Sequence, residues 1–301
     1  MVPAGHSQHI RPSRGDITFR VINGLFLIAF AMVCILPMWH VLMSSISNPK
    51  SLYVNTDFLF LPTGGVSFET WKIVFTKYPI VRGYLNTLLY TVLSVGIGLI
   101  LSLLGAYALY KKNLLFKNLI FLFVFLPMFV NAGLIPQYVM AYRLHLTNTI
   151  WGIVLTGCCN AMNILVIKRG LDNIPLATIE AAEIDGANDF QILFRIIVPM
   201  IVPSISVIVM FGIINMWNSW LIPSIYLSQQ SADLYPLALI VRNIINETSG
   251  TSNSLSINTS VEYTTSIRMV AIVMSSAPLL ILFPFVQKYF EKAVILGSVK
   301  G

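Results

Sequence analysis

Two groups of side chains in this 301-residue chain have the types and spacing to act on something other than the chain itself. The first lies in EAAEIDGANDFQILFRIIVP, residues 180–199, and comprises Glu180, Ala181, Ala182, Asp185, Gly186 and Ala187. Charges clustered in so hydrophobic a chain must face water, small side chains suit close docking, and Gly186 adopts positive φ at little cost. This is the chemistry of docking. The second group is Asn131, Asn160, Asn163, Asn215, Trp217 and Asn218, with Trp220 beside them. Amides bond to hydroxyls and aromatic faces stack on apolar ring faces, the two surfaces a sugar presents. The same residue types have structural uses: asparagines tie helices together within a membrane and tryptophans anchor at its interface.

Bond-making chemistry is not expected of this chain. A phosphate-cradling loop of the form G-x-x-x-x-G-K-[ST] places a lysine after a glycine, and the sequence contains no Gly-Lys pair. The twelve carboxylates fall at or beyond the ends of the apolar stretches, which leaves His40 as the ionisable residue inside one. Ion-driven carriers place charged residues within the membrane, so a secondary sugar carrier is the weaker alternative. A lone histidine at the end of a span is read as a packed or interfacial residue. Cys34, Cys158 and Cys159 all lie in apolar stretches, where thiols behave as small hydrophobes, and neither a disulfide nor a metal site is expected.

The elements that must position these groups are membrane helices. Hydrophobic residues make up 56% of the chain and charged residues 10%, against roughly 25% charged in an average soluble domain. Crossing a hydrocarbon layer takes about 20 apolar residues. Six stretches qualify: residues 21–45, 84–110, 116–140, 149–167, 196–221 and 269–286. The expected domains are an N-terminal tail (1–20), a six-helix transmembrane domain (21–286) with a polar loop at 170–195, and a C-terminal tail (287–301). Twelve of the 19 Lys and Arg residues lie on the side of the termini and seven on the other. The excess places both termini and the polar loop in the cytoplasm. The net charge of +7 flanks spans instead of forming one patch, so it reads as orientation and not as nucleic-acid binding.

Within the polar loop, PLATIEAAEIDG reads as a short helix from Pro175 to Asp185, proline at its first position and glycine just past its end. Neither face is apolar enough to bury in a core of its own. Asn188 and Gln191 form a capping-box pair that starts the next helix. Pro199 and Pro203 each remove a backbone hydrogen bond and bend the span that follows. The whole reads as an elbow of short helix, glycine turn and bent span.

Glu180-Ala181-Ala182, then Gly186, Ile197 and Pro199, resembles the EAA loop of bacterial ABC importer permeases. With Asp185-Gly186-Ala187, Phe194 and Pro203 it is similar to the carbohydrate-uptake branch, typified by the two maltose permease subunits. Met200 departs from the usual pattern. The tail FPFVQKYFEKAVILGSVKG, residues 283–301, resembles that of permeases for complex oligosaccharides, including uronate-containing chains such as alginate or aldouronate fragments.

The resemblance implies an all-α membrane protein with the type I ABC importer permease fold, six spans and a cytoplasmic coupling helix. It implies a bacterial cytoplasmic (inner) membrane location. The implied partners are a second permease subunit, two ATPase subunits that carry the ATP and magnesium, and an extracytoplasmic solute-binding protein. The cargo is an oligosaccharide, with another organic solute such as glycerol phosphate as the alternative. Glu180 would meet a basic residue of the ATPase, Ala181 and Ala182 would permit close approach, and Gly186 would supply the turn. The C-terminal tail would also reach the ATPase, and the loop at 222–268 would contact the binding protein.

Overall fold

The computed structural model describes residues 14–55, 57–111, 114–130, 132–249 and 261–298, with side chains at 15–284 among these except 261. Its helices run in the order α1 (Arg14–Ser45), α2 (Pro49–Val54), α3 (Glu69–Lys77), α4 (Ile80–Tyr110), α5 (Lys117–Phe129), α6 (Leu134–Arg143), α7 (Ile150–Cys158) and α8 (Ala161–Asp172). There follow α9 (Leu176–Ile184), α10 (Asp189–Gln191), a π-helical turn at Ile192–Ile197, α11 (Val198–Met200), α12 (Val202–Trp217), α13 (Leu221–Tyr226), α14 (Leu237–Thr248) and α15 (Thr264–Ser298).

Three helices are long and apolar enough to cross a membrane unbroken, at Gly15–Ser45, Ile80–Tyr110 and Thr264–Pro284. The other three expected spans are each a pair of helices, α5 with α6, α7 with α8, and the limb Asp189–Met200 with α12. The bend in the last pair, 83° at Ile201 between Pro199 and Pro203, follows from the prolines. The break of 43° between α7 and α8 is a departure from the expected continuous span. Cys159 and Asn160 are extended there, and the Asn160 side chain accepts from the Met162 N–H at 2.9 Å, capping α8. The interruption between α5 and α6 carries Gly133 at φ 84; Asn131 lies outside the described residues.

The described residues within 1–71 and 258–273 form one compact unit. Most of the apolar side chains of α1 are exposed, from Ile17 to Leu42. Its C-terminal end is fastened instead: Trp71 Nε1 donates to the Ser45 carbonyl at 3.0 Å, and Ser47 Oγ donates to the Met43 carbonyl at 2.7 Å. His40 accepts from the Leu59 N–H through Nδ1 at 3.1 Å and stacks on Phe58. It is a packed histidine, as expected.

The described residues within 72–257 and 274–301 form the second unit, built around α4. The helix carries buried serines, threonines and glycines along its faces, among them Gly83, Ser94, Gly98 and Ser102. Small residues let membrane helices pack closely where apolar burial supplies no drive. At one end Thr87 Oγ1 accepts from the Leu237 N–H at 2.8 Å, and Asn86 Nδ2 donates to the Asp233 carbonyl at 2.7 Å. At the other end Leu109, Phe125, Ile167, Ile192, Leu193 and Ile197 share one apolar core. Helix α15 continues past the membrane-length stretch to Ser298.

Candidate coupling elbow and membrane cavity

The elbow begins where Pro175 precedes α9, a helix of nine residues. Its C-terminus closes as a Schellman motif. Gly186 sits at φ 80, its N–H donates to the Glu183 carbonyl at 3.1 Å, and the Ala187 N–H donates to the Ala182 carbonyl at 3.0 Å. Two residues on, the Asn188 N–H donates to Gln191 Oε1 and the Gln191 N–H to Asn188 Oδ1, both at 2.9 Å. This reciprocal capping box starts α10. With both helix ends closed by local bonds, the turn between them holds a fixed angle.

The expectation that neither face of α9 is buried needs correction. Ile179 and Ala182 are 6% and 8% exposed and belong to the same apolar core as Ile192, Leu193 and Ile197. Three residues apart on a helix, they share one edge. Ala182 therefore packs inward and is not a surface for close approach by a partner. Glu180, Ala181 and Asp185 remain exposed, as does Ile184 at 86%. Phe190 and Phe194 extend this apolar exposure onto the following limb; in sequence Phe194 stood out only through the family resemblance, and Phe190 did not.

A polar contact ties the elbow to the end of α4. Asp189 accepts from the Tyr107 hydroxyl at 3.0 Å and pairs with the Lys111 ammonium. The Lys111 hydrogen bond is the main effect and holds the Asp189 carboxyl below its ordinary range; burial opposes it, and the Tyr107 hydrogen bond and the Lys111 charge add smaller lowering effects. A depressed carboxyl stabilises the native arrangement above the unfolded value and loses that contribution as pH falls through the folded one. Both partners are well exposed, so the pair is worth about 0.2–1 kcal/mol. Asp189→Asn is expected to weaken elbow docking by that amount at neutral pH, read as faster amide exchange at Asn188 to Ile192. The variant and the native chain should converge in strongly acidic buffer. Equal exchange at neutral pH would contradict the clamp.

The second candidate group divides. Asn160, Asn163 and Asn215 line one cavity of about 520 Å³, within the ~300–1,000 Å³ of ligand pockets. It opens beside the break between α7 and α8, against α4 and α12. Ser94 and Ser219 also face it, as do the apolar side chains of Val166, Ile208 and Phe211. Trp217 and Asn218 do not line it. Trp217 Nε1 donates to the Ser275 carbonyl at 3.0 Å, and Asn218 Nδ2 to the Ile214 carbonyl at 2.9 Å. The Trp217 indole ties α12 to α15, while the Asn218 amide bonds within the C-terminal turn of its own helix. Trp220 receives the Arg242 guanidinium at 4.6 Å from its ring centre. The glycines at the cavity wall were not singled out in sequence. A Cβ on Gly98 would stand 2.3 Å from the Cys158 carbonyl oxygen, and one on Gly157 would stand 2.7 Å from Met216 Cε.

Helix α12 joins the two sites. One end leaves the 83° bend of the elbow, and near the other Asn215 faces the cavity. A single helix of 16 residues thus runs from the elbow to the cavity wall.

The model of a family described as "Binding-protein-dependent transport system inner membrane component" matches residues 94–296. The "Polygalacturonan/rhamnogalacturonan transport system permease protein YtcP" of Bacillus subtilis (strain 168) is 33% identical over 92% of this chain and 96% of that protein. The crystal structure of a bacterial ABC transporter involved in the import of the acidic polysaccharide alginate superimposes with a TM-score of 0.83 and 28% identity, covering 93% of this chain and 99% of that one. A bacterial alginate ABC transporter in complex with alginate pentasaccharide-bound periplasmic protein matches with a TM-score of 0.62 at 16% identity, covering 91% of this chain and 93% of that one, a likeness of fold.

Proposed function

This chain belongs to the binding-protein-dependent transport system inner membrane component family and is a permease subunit of an ABC importer; we propose that it works with a second permease to bring an oligosaccharide into the cytoplasm by alternating access. In this reading two ATPase subunits supply the energy from ATP and magnesium, and an extracytoplasmic binding protein delivers the cargo. Both termini and the elbow face the cytoplasm, in line with the excess of Lys and Arg on that side.

The observation that carries the proposal is the continuity from elbow to cavity. The exposed face of α9 and the neighbouring Phe190 and Phe194 meet the ATPase, with Glu180 and Asp185 supplying charge. Closure of the ATPase pair moves α9. The Schellman turn and capping box pass the motion to the limb, and α12 moves Asn215 against Asn160 and Asn163 across the cavity. The cavity changes access while the amides exchange partners with sugar hydroxyls.

Oligosaccharide is the class favoured by the neutral, amide-bearing lining and by the cargoes in the names of the matched transporters. Asn160→Ala and Asn215→Ala are expected to raise the half-saturating concentration of loaded binding protein in an ATPase assay, each by about three- to tenfold, from a hydrogen bond worth about 0.5–1.5 kcal/mol. The assay takes the complete complex in nanodiscs and compares oligosaccharides with glycerol phosphate. Stimulation by glycerol phosphate alone, or unchanged half-saturation in both variants, would overturn the reading.

A further inference from the structure

A second cavity, of about 1,050 Å³, lies at the opposite end of α4 from the elbow. Tyr78 and Pro79, just before α4, form one wall, and Lys111 at the far end of the same helix meets the elbow. Thirty-one residues at 1.5 Å rise separate the two by about 45 Å, so this cavity opens on the outer side if the elbow is cytoplasmic.

Its lining differs from that of the membrane cavity. Gln229 and Asn243 bring side-chain amides, Tyr78 and Tyr235 bring aromatic rings, and Glu247 brings a carboxylate. The tyrosine hydroxyls are already engaged, Tyr78 with Glu247 Oε2 at 3.1 Å and Tyr235 with the Ser228 carbonyl at 3.2 Å. Their rings are thereby fixed in place. The amides of Gln229 and Asn243 make no hydrogen bond among the described residues and present donors and acceptors to the cavity. The second carboxylate oxygen, Glu247 Oε1, is a strong acceptor for hydroxyl donors. Fixed rings, uncommitted amides and a carboxylate together match the apolar face and hydroxyl rim of a sugar.

We propose that this outer cavity is a saccharide subsite that receives a neutral sugar unit of the incoming chain before it reaches the membrane cavity. The inference rests on the oligosaccharide reading above and adds the place and the charge preference of a contact outside the membrane. Neutrality follows from Glu247. A cargo carboxylate beside Glu247 meets a like charge, and no Lys or Arg lines the cavity among the described residues, although Lys77, next to Tyr78, interacts with Glu247 and offsets part of that charge. A uronate unit is therefore disfavoured here, whatever the membrane cavity accepts. Chains long enough to occupy both cavities gain from the subsite. Short ones fit the membrane cavity alone.

The test uses the complete complex in nanodiscs with its binding protein. Substrate-stimulated ATPase is measured with short and long neutral chains (malto-, xylo- and arabino-oligosaccharides) and with oligogalacturonates. Asn243→Ala is expected to raise the half-saturating concentration of long neutral chains about three- to tenfold, the loss of one neutral hydrogen bond. Short chains should be unaffected. Glu247→Gln keeps an acceptor for Tyr78 and removes only the charge, so it should lower the half-saturating concentration for oligogalacturonates relative to neutral chains. Equal effects of Asn243→Ala on short and long chains, or an unchanged neutral-to-uronate ratio in Glu247→Gln, would overturn the subsite. If no saccharide stimulates the native complex, the oligosaccharide reading fails and the subsite falls with it. Stimulation of the native complex with indifferent variants removes the subsite alone.

Discussion

Gly186→Val is expected to abolish import while leaving the membrane subunits assembled. The residue holds φ 80, a conformation that costs an L-residue roughly 1–2 kcal/mol and a β-branched one more. No atom lies within 4 Å of where its Cβ would stand, so the damage comes from the backbone and not from a collision. Valine relieves the strain by leaving the left-handed region. The Schellman bonds from Gly186 and Ala187 to the carbonyls of Glu183 and Ala182 are then lost. Each is worth about 0.5–1.5 kcal/mol. More important is the angle: α9 would no longer point in a fixed direction from the limb, and under the proposed mechanism closure of the ATPase pair would not reach α12. Uptake in proteoliposomes should fall to background, with hydrolysis no longer stimulated by loaded binding protein. Gly186→Asn, which tolerates positive φ, should keep most of the transport. Normal uptake by the valine variant would sink the coupling role of the elbow.

A comparably large effect is expected from Gly98→Ala, this time on stability as well as transport. The added methyl would stand 2.3 Å from the Cys158 carbonyl oxygen, a backbone atom that cannot swing aside. Overpacking of this kind costs typically about 1–3 kcal/mol. The carbonyl belongs to the last residue of α7, at the break that opens the membrane cavity. Separating α4 from α7 would therefore change the cavity wall. Gly96 is two residues away on the same helix, with nothing within 4 Å of where a methyl would stand, and alanine there relieves a helix of the ~0.5–1 kcal/mol glycine penalty. The purified complex should melt at a lower temperature with Gly98→Ala and at an equal or higher one with Gly96→Ala. Matching melts in the two variants would contradict the close approach.

The elbow was legible in sequence because its determinants are local. Pro175, Gly186 and the Asn188–Gln191 pair act on backbone groups within a few residues, and the prolines around Ile201 remove bonds from their own helix. The break between α7 and α8 was not legible. A hydropathy window sums composition, and a span interrupted at Cys159 and Asn160 has the same composition as a straight one. Asn160 stands out in sequence for its amide, yet the cap it gives to α8 requires knowing that a helix starts there.

The candidate path residues show the limit from another side. Asn215 and Asn218 are three apart at the end of one helix, but Asn215 faces the cavity and Asn218 bonds to the Ile214 carbonyl beneath it. Trp217 is committed to Ser275, 58 positions away. The inward turn of Ala182 likewise depends on a core that Leu193 and Ile197 complete.

By itself, then, the sequence determined the membrane class, the family loop and the fixed turn at Gly186, because hydropathy, caps and positive φ are properties of short stretches of chain. Tertiary structure alone decided which asparagines share a cavity, which face of α9 is left for a partner, and where Tyr78, Gln229, Asn243 and Glu247 come together. Those arrangements are set by packing between segments far apart along the chain, for which no local pattern carries a signal.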